Sequence, residues 1–179
     1  QQLILQFLPL TETKELVEPN VRLLLAQLQI NHIQNRSTTD ILENIYSKLT
    51  QITDPKMLGG IYSVLANQFY DKGQIEQAIT YHNLARKQFE QIDYKVGLAS
   101  TLNGLANVYS AQSEFKKAIE YLEESLLVMR DLGNRFSESI VLFNLAQNYV
   151  YQEQYDKAQK AFSESLAISN ELDDIAGQA

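Results

Sequence analysis

The sequence predicts an all-α chain, an α-solenoid of antiparallel helical hairpins, and three observations carry that prediction. Leu65-Ala66-Asn67 returns as Leu105-Ala106-Asn107 and again as Leu145-Ala146-Gln147, a step of 40 residues each time. Inside each block the apolar residues follow the helical period. Leu58, Tyr62, Leu65, Ala66 and Phe69 fall on one stripe, and Ile75, Ala78, Ile79, His82, Phe89 and Ile92 on a second. A short break then separates the two stripes, at Asp71-Lys72-Gly73, Ala111-Gln112-Ser113 and Tyr151-Gln152-Glu153. Other columns keep the same step without a gap: Phe69, Tyr109 and Tyr149; Ala78, Ala118 and Ala158; Ile75, Phe115 and Tyr155; Ile92, Leu132 and Leu172.

Taken in order, residues 1–19, with Pro9 and Pro19, read as a lead-in segment or the remnant of a preceding helix. Residues 20–54 read as a degenerate helical hairpin. Leu25-Ala26-Gln27 lies 40 residues before Leu65-Ala66-Asn67, but Gln29 takes the aromatic column and Thr38 the small one. Its second helix has Asp40 near the start, and Asp54-Pro55 opens the next helix, since proline is tolerated at a first helical position. Residues 55–93, 94–133 and 134–173 are three clear repeats. Gly73 suits a left-handed turn residue after a helix end, and Ser113 suits an N-cap for the helix that follows. The alanine columns allow two helices to cross closely: Ala66 and Ala78 face one another, and the aromatic columns fill the wider space. No such unit buries its stripe alone, so stability requires stacking. Asp173-Asp174-Ile175 sits in the linker column of Gly133-Asn134-Arg135, so residues 174–179 are expected to begin a truncated next helix. With Gln1 rather than Met at the start and no polar cap at the end, the chain is expected to be part of a longer protein.

Composition narrows the function classes. Hydrophobic residues make up 45% of the 179, and there are only 3 prolines, so the chain folds rather than staying disordered. No apolar run is long enough to cross a membrane, so membrane insertion is not expected. Cysteine is absent, which removes disulfides, thiolate metal sites and cysteine nucleophiles together. A formal net charge of −7 argues against a nucleic-acid partner. A cytoplasmic setting fits best. Asn35-Arg36-Ser37 matches a glycosylation triplet, a pattern that arises often by chance.

The repeating residues resemble the tetratricopeptide repeat, whose pattern of Leu-small-x-x-aromatic followed by a small residue stands here as Leu105-Ala106-Asn107-Val108-Tyr109 with Ala118. The resemblance covers residues 56–172 well and 20–54 weakly. The step of 40 is longer than usual and is similar to the long repeats of kinesin light chains, G-protein signalling modulators and bacterial regulators. The linker Leu132-Gly133-Asn134-Arg135 is similar to that of the last group. The proline that the family carries near the end of its second helix is missing. The resemblance implies a right-handed superhelical α-solenoid whose first helices line a concave groove. It also implies a peptide or protein partner held there, and no reaction chemistry or cofactor.

On that arrangement the groove columns are Ser63, Asn103 and Phe143; Asn67, Asn107 and Gln147; Tyr70, Ser110 and Val150; and Asp71, Ala111 and Tyr151. Ser63, Asn67, Tyr70, Asn103, Asn107, Phe143, Gln147 and Tyr151 are the candidate peptide-binding residues. These columns hold almost no charge. The resemblance places Lys and Arg there in members that hold a C-terminal carboxylate, and their absence argues against that ligand. A carboxamide offers both a donor and an acceptor, so a row of them can pair with a peptide backbone, or with neighbouring helix ends. Phe143, Val150 and Tyr151 either anchor an apolar side chain or pack on a following repeat.

A catalytic reading finds little to work with. His82 shares a column with Leu122 and Phe162 and is expected inside the fold, and His32 lies near a helix end, where a cation is favourable. Glu123-Glu124 and Asp173-Asp174 are adjacent on helices and point apart. Lys116-Lys117, Lys157 and Lys160 are solvated faces. No paired-histidine or phosphate-loop pattern occurs, so neither an enzyme nor a metal site is expected. The leading expectation is therefore a protein-interaction scaffold, a module of a larger bacterial regulatory protein. The alternatives are a sensory domain that binds a small ligand or signal peptide to control an attached effector, and a repeat that self-associates through uncapped ends.

Overall fold

The computed structural model describes residues 14–34 and 37–177. The expectations for residues 1–13, Asn35-Arg36, the His32 side chain and the last two residues fall outside them. Among the described residues the chain is all-α: α1 (Lys14–Ile33), α2 (Thr39–Lys48) with a 3-10 turn at Leu49–Gln51, α3 (Pro55–Asp71), α4 (Ile75–Gln91), α5 (Lys95–Ala111), α6 (Phe115–Asp131), α7 (Arg135–Tyr151) and α8 (Tyr155–Gly177). Two compact units divide it, residues 1–58 and 59–179.

In the first unit α1 packs against α2. Helix α1 begins before residue 20 and runs through Pro19 in its second turn. Val17, Val21 and Leu28 are buried, at steps of four and seven that keep them on one stripe. Ala26 is exposed, unlike Ala66, Ala106 and Ala146, so the alignment of Leu25-Ala26-Gln27 with the later repeats does not set the packing register here. The cause is geometric: two residues before Leu28, Ala26 points to the opposite side of the helix. Leu42 and Ile45 carry the buried face of α2. The Asp54 carboxylate accepts from the Lys56 backbone N–H at 3.0 Å, which caps α3 ahead of Pro55.

The second unit has a finer period than the forty-residue repeat. Helices α3 to α7 are each 17 residues long, and their first residues, Pro55, Ile75, Lys95, Phe115 and Arg135, are evenly spaced. Turn and linker are thus the same device. Each helix ends on a left-handed residue: Gly73 (φ 72), Asp93 (φ 49), Ser113 (φ 63), Gly133 (φ 64) and Glu153 (φ 56). The same pair of hydrogen bonds recurs at every one. At the first, the Gly73 N–H donates to Tyr70 O at 2.8 Å and the Gln74 N–H to Phe69 O at 2.8 Å. These bonds satisfy carbonyls that a helix end otherwise leaves open. Ser113 is therefore a turn residue rather than an N-cap, since its φ is positive; the N-cap position of α6 is Glu114.

Helix α8 differs from the expected pattern at its end. It runs unbroken through Asp173-Asp174-Ile175 to Gly177, with no linker at that column. A reversal costs a left-handed residue, and at the earlier turns packing of the next helix offsets it.

The core follows the predicted columns. Leu105, Ala106, Tyr109, Ala118, Leu122, Leu145 and Tyr149 form one buried cluster, and Leu142, Ala146, Ala161 and Ile168 a second. Ala66 and Ala78 have no exposure, as close helix crossing requires. The end columns behave otherwise. Ile92 and Leu132 are exposed because they are helix C-caps, beyond the stripe that faces the neighbour. A buried serine also ties each of the last two hairpins: Ser125 Oγ donates to Ala99 O at 2.9 Å, and Ser165 Oγ to Ser139 O at 2.8 Å. Lys95–Asp131 at 2.6 Å and Arg135–Glu171 at 3.0 Å close the open ends of the last two hairpins.

Candidate functional site

The first helices of the hairpins, α3, α5 and α7, supply the expected groove residues. Asn67, Asn107 and Gln147 are all exposed, as their column requires. The Ser63, Asn103 and Phe143 column is more engaged. Ser63 Oγ donates to Gly59 O at 3.0 Å, a bond within its own helix. Asn103 Oδ1 accepts from Asn144 Nδ2 at 2.9 Å, which ties α5 to α7. Phe143 stands edge-on to Phe162 at 5.6 Å between ring centres, yet remains 47% exposed.

Four of the eight candidates meet in one cleft of ≈ 450 Å³: Tyr70, Asn107, Gln147 and Tyr151. Ser63, Asn67, Asn103 and Phe143 lie outside it. The cleft is bounded by α5 and α7, with the turn at Ser113 at one end. Phe115, the first residue of α6, stacks on Tyr151, the last of α7, with ring centres 4.6 Å apart and planes 11° from parallel. No carboxylate, ammonium or guanidinium belongs to the lining, although the whole chain carries −7. The arrangement can stack on a planar or apolar group and exchange neutral hydrogen bonds.

Four residues of the cleft, Ser113, Phe115, Asn144 and Asn148, lie outside the expected groove columns. Phe115 stood in a packing column, and nothing in the sequence indicated that its ring would meet Tyr151. Asn144 and Asn148 occupy columns held by Gly104 and Val108 one repeat earlier, and that change from apolar to amide was the available signal. Asn148 is buried, and its Nδ2 donates to Asn144 O at 2.8 Å. Its Oδ1 is buried without a hydrogen-bond partner among the described residues, a costly arrangement.

The histidine of the second hairpin position lies away from this cleft. His82 is 2% exposed, against the α5 backbone, where a Cβ on Gly104 would come within 2.4 Å of its ring. Burial pushes its pKa down to about 4. Its Nδ1 has no hydrogen-bond partner among the described residues. The ring is a neutral packing element. Tyr149, on the other side of α7, donates from its hydroxyl to Glu123 at 2.7 Å. Burial, and then that carboxylate, push its pKa up. Near the linker, Glu138 is buried between Arg130 at 2.8 Å and Arg135 at 2.7 Å. Burial opposes its ionisation, but the two guanidinium hydrogen bonds outweigh that and hold its carboxyl below the usual range.

The tetratricopeptide repeat family matches this chain over residues 58–131 and again over 97–171. Among solved structures, aspartyl phosphate phosphatase F from Bacillus subtilis superimposes with a TM-score of 0.80 at 19% identity. That match covers 88% of this chain and 42% of the phosphatase. BtubC (BKLC) from P. vanneervenii superimposes with a TM-score of 0.67 at 20% identity, covering 89% of this chain and 75% of that protein. The chain thus spans less than half the length of the first of these. At such identities the likeness is one of fold. No curated protein sequence matches the chain.

Proposed function

This chain belongs to the tetratricopeptide repeat family, and from that premise we propose that residues 59–179 hold a peptide or protein segment along α3, α5 and α7, as a module of a larger regulatory protein. The observation that carries the reading is the pair Asn107 and Gln147. Both are exposed beside an uncharged cleft, and neither side chain has a hydrogen-bond partner among the described residues. A carboxamide left free at a surface can match both the N–H and the C=O of an extended backbone, whatever side chains the partner carries. Asn67 extends the same row one hairpin earlier.

The test is a capture experiment with the chain and its Asn67→Ala/Asn107→Ala double variant. Loss of two polar contacts at the centre of an interface should weaken retained partners about tenfold or more. Because both positions are exposed, the variant should keep the unfolding midpoint of the native chain. If the double variant retains every partner with unchanged affinity, the segment does not lie along this row.

A further inference from the structure

We propose that the cleft between α5 and α7 is an anchor subsite, which takes one uncharged aromatic or aliphatic side chain of the bound segment while Asn107 and Gln147 pair with the backbone beside it. The proposal rests on the groove reading above and adds to it the class of residue the partner must present. Four observations support it. The cleft, at ≈ 450 Å³, is large enough for a full side chain and the backbone that carries it. Its walls contain no charged group, so a carboxylate or ammonium entering it would lose water and meet only neutral amides and hydroxyls, with no opposite charge to offset the loss.

The third observation is the aromatic pair. Tyr151 stacks on Phe115 through one face and is still 62% exposed, so its other face is open to a ligand. The fold does not require that stack: in the preceding repeat the same two columns hold Ile75 and Ala111, and those helices pack without it. The fourth is a division of labour among the amides. Asn144 is held by Asn103, and Asn148 by the Asn144 carbonyl, so these two form fixed wall. Asn107 and Gln147 make no such bonds among the described residues and flank the opening with their donors and acceptors available. Fixed walls, an open ring face and two available amides together suit a neutral side chain projecting from an extended backbone.

The experiment uses the full chain and five blocked tripeptides, acetyl-Ala-X-Ala-amide with X as Phe, Leu, Ala, Lys or Asp, titrated by NMR. The reporters are the side-chain amides of Asn107 and Gln147 and the ring of Tyr151. The Phe and Leu peptides should shift all three and bind about tenfold more tightly than the Ala peptide. The Lys and Asp peptides should bind no better than Ala, and Tyr151→Ala should reduce the Phe peptide to the Ala value. Equal binding of the Phe and Ala peptides at Asn107 and Gln147 would leave the groove in place and overturn the subsite. So would equal binding of the Phe and Lys peptides. A Phe peptide that shifts Tyr151 while no peptide shifts either amide would remove the groove reading itself. Silence from all five overturns the subsite.

Discussion

The side chain of His82 turns burial into a pH dependence. Folded, it stays neutral down to about pH 4. In the unfolded chain an imidazole takes its proton near pH 6.5. Between those values the unfolded state binds more protons than the folded one, so stability is complete above about pH 6.5 and is lost as pH falls toward 4. The loss approaches about 3 kcal/mol across that window. Urea midpoints taken across it should fall for the native chain and stay nearly level for His82→Leu, the residue its column carries at Leu122. Glu138, held below the usual carboxylate range, contributes a separate loss that begins at lower pH. Asn148 offers the opposite case, a residue whose removal should help. Replacing it by Val, as at Val108, removes a buried unpartnered oxygen and should raise stability by about 1 kcal/mol in urea denaturation. The burial of His82 was legible because Leu122 and Phe162 share its column. The environment of Asn148 was not, because the Asn103–Asn144 bridge beside it joins two different columns.

At the scale of the element, the repeated unit is a helix and a left-handed residue, and the two parts have different sequence requirements. Three of the five left-handed positions are Asp93, Ser113 and Glu153, which lack glycine's freedom there. Glu153→Gly should therefore stabilise the chain by about 1 kcal/mol. Gly133→Ala should destabilise it by a similar amount, and through backbone strain alone, since a Cβ at that position would touch nothing within 4 Å. Thermal midpoints of the two variants should move in opposite directions. Turn position was readable from the polar breaks between stripes. Turn chemistry was less so: a Ser or Glu in the left-handed region is chosen by the two capping hydrogen bonds and by the helices packed on either side. That is why Ser113 resembled a cap in sequence and is a turn in the fold.

Across the whole molecule, a repeat array depends on each hairpin burying its stripe against the next. Leu105 sits with no exposure in a cluster shared by α5, α6, α7 and α8. Leu105→Ala should cost about 3 kcal/mol in unfolding free energy. Hydrogen exchange should show that loss spread over α5 to α8 rather than confined to α5, because those helices share one cluster. A protection change limited to α5 would mean that the hairpins unfold independently.

By itself the sequence determined the helical hairpins, their forty-residue step, the alanine and aromatic columns, and the uncharged character of the Asn67, Asn107 and Gln147 row. Each of these follows from local periodicity, which one strand of text carries in full. Tertiary structure alone decided that α1 presents Val17, Val21 and Leu28 rather than Ala26, and that Phe115 and Tyr151 meet across a cleft walled by Asn144 and Asn148. Those outcomes depend on which face a neighbouring helix covers and on contacts between different columns. A period along the chain does not encode either one.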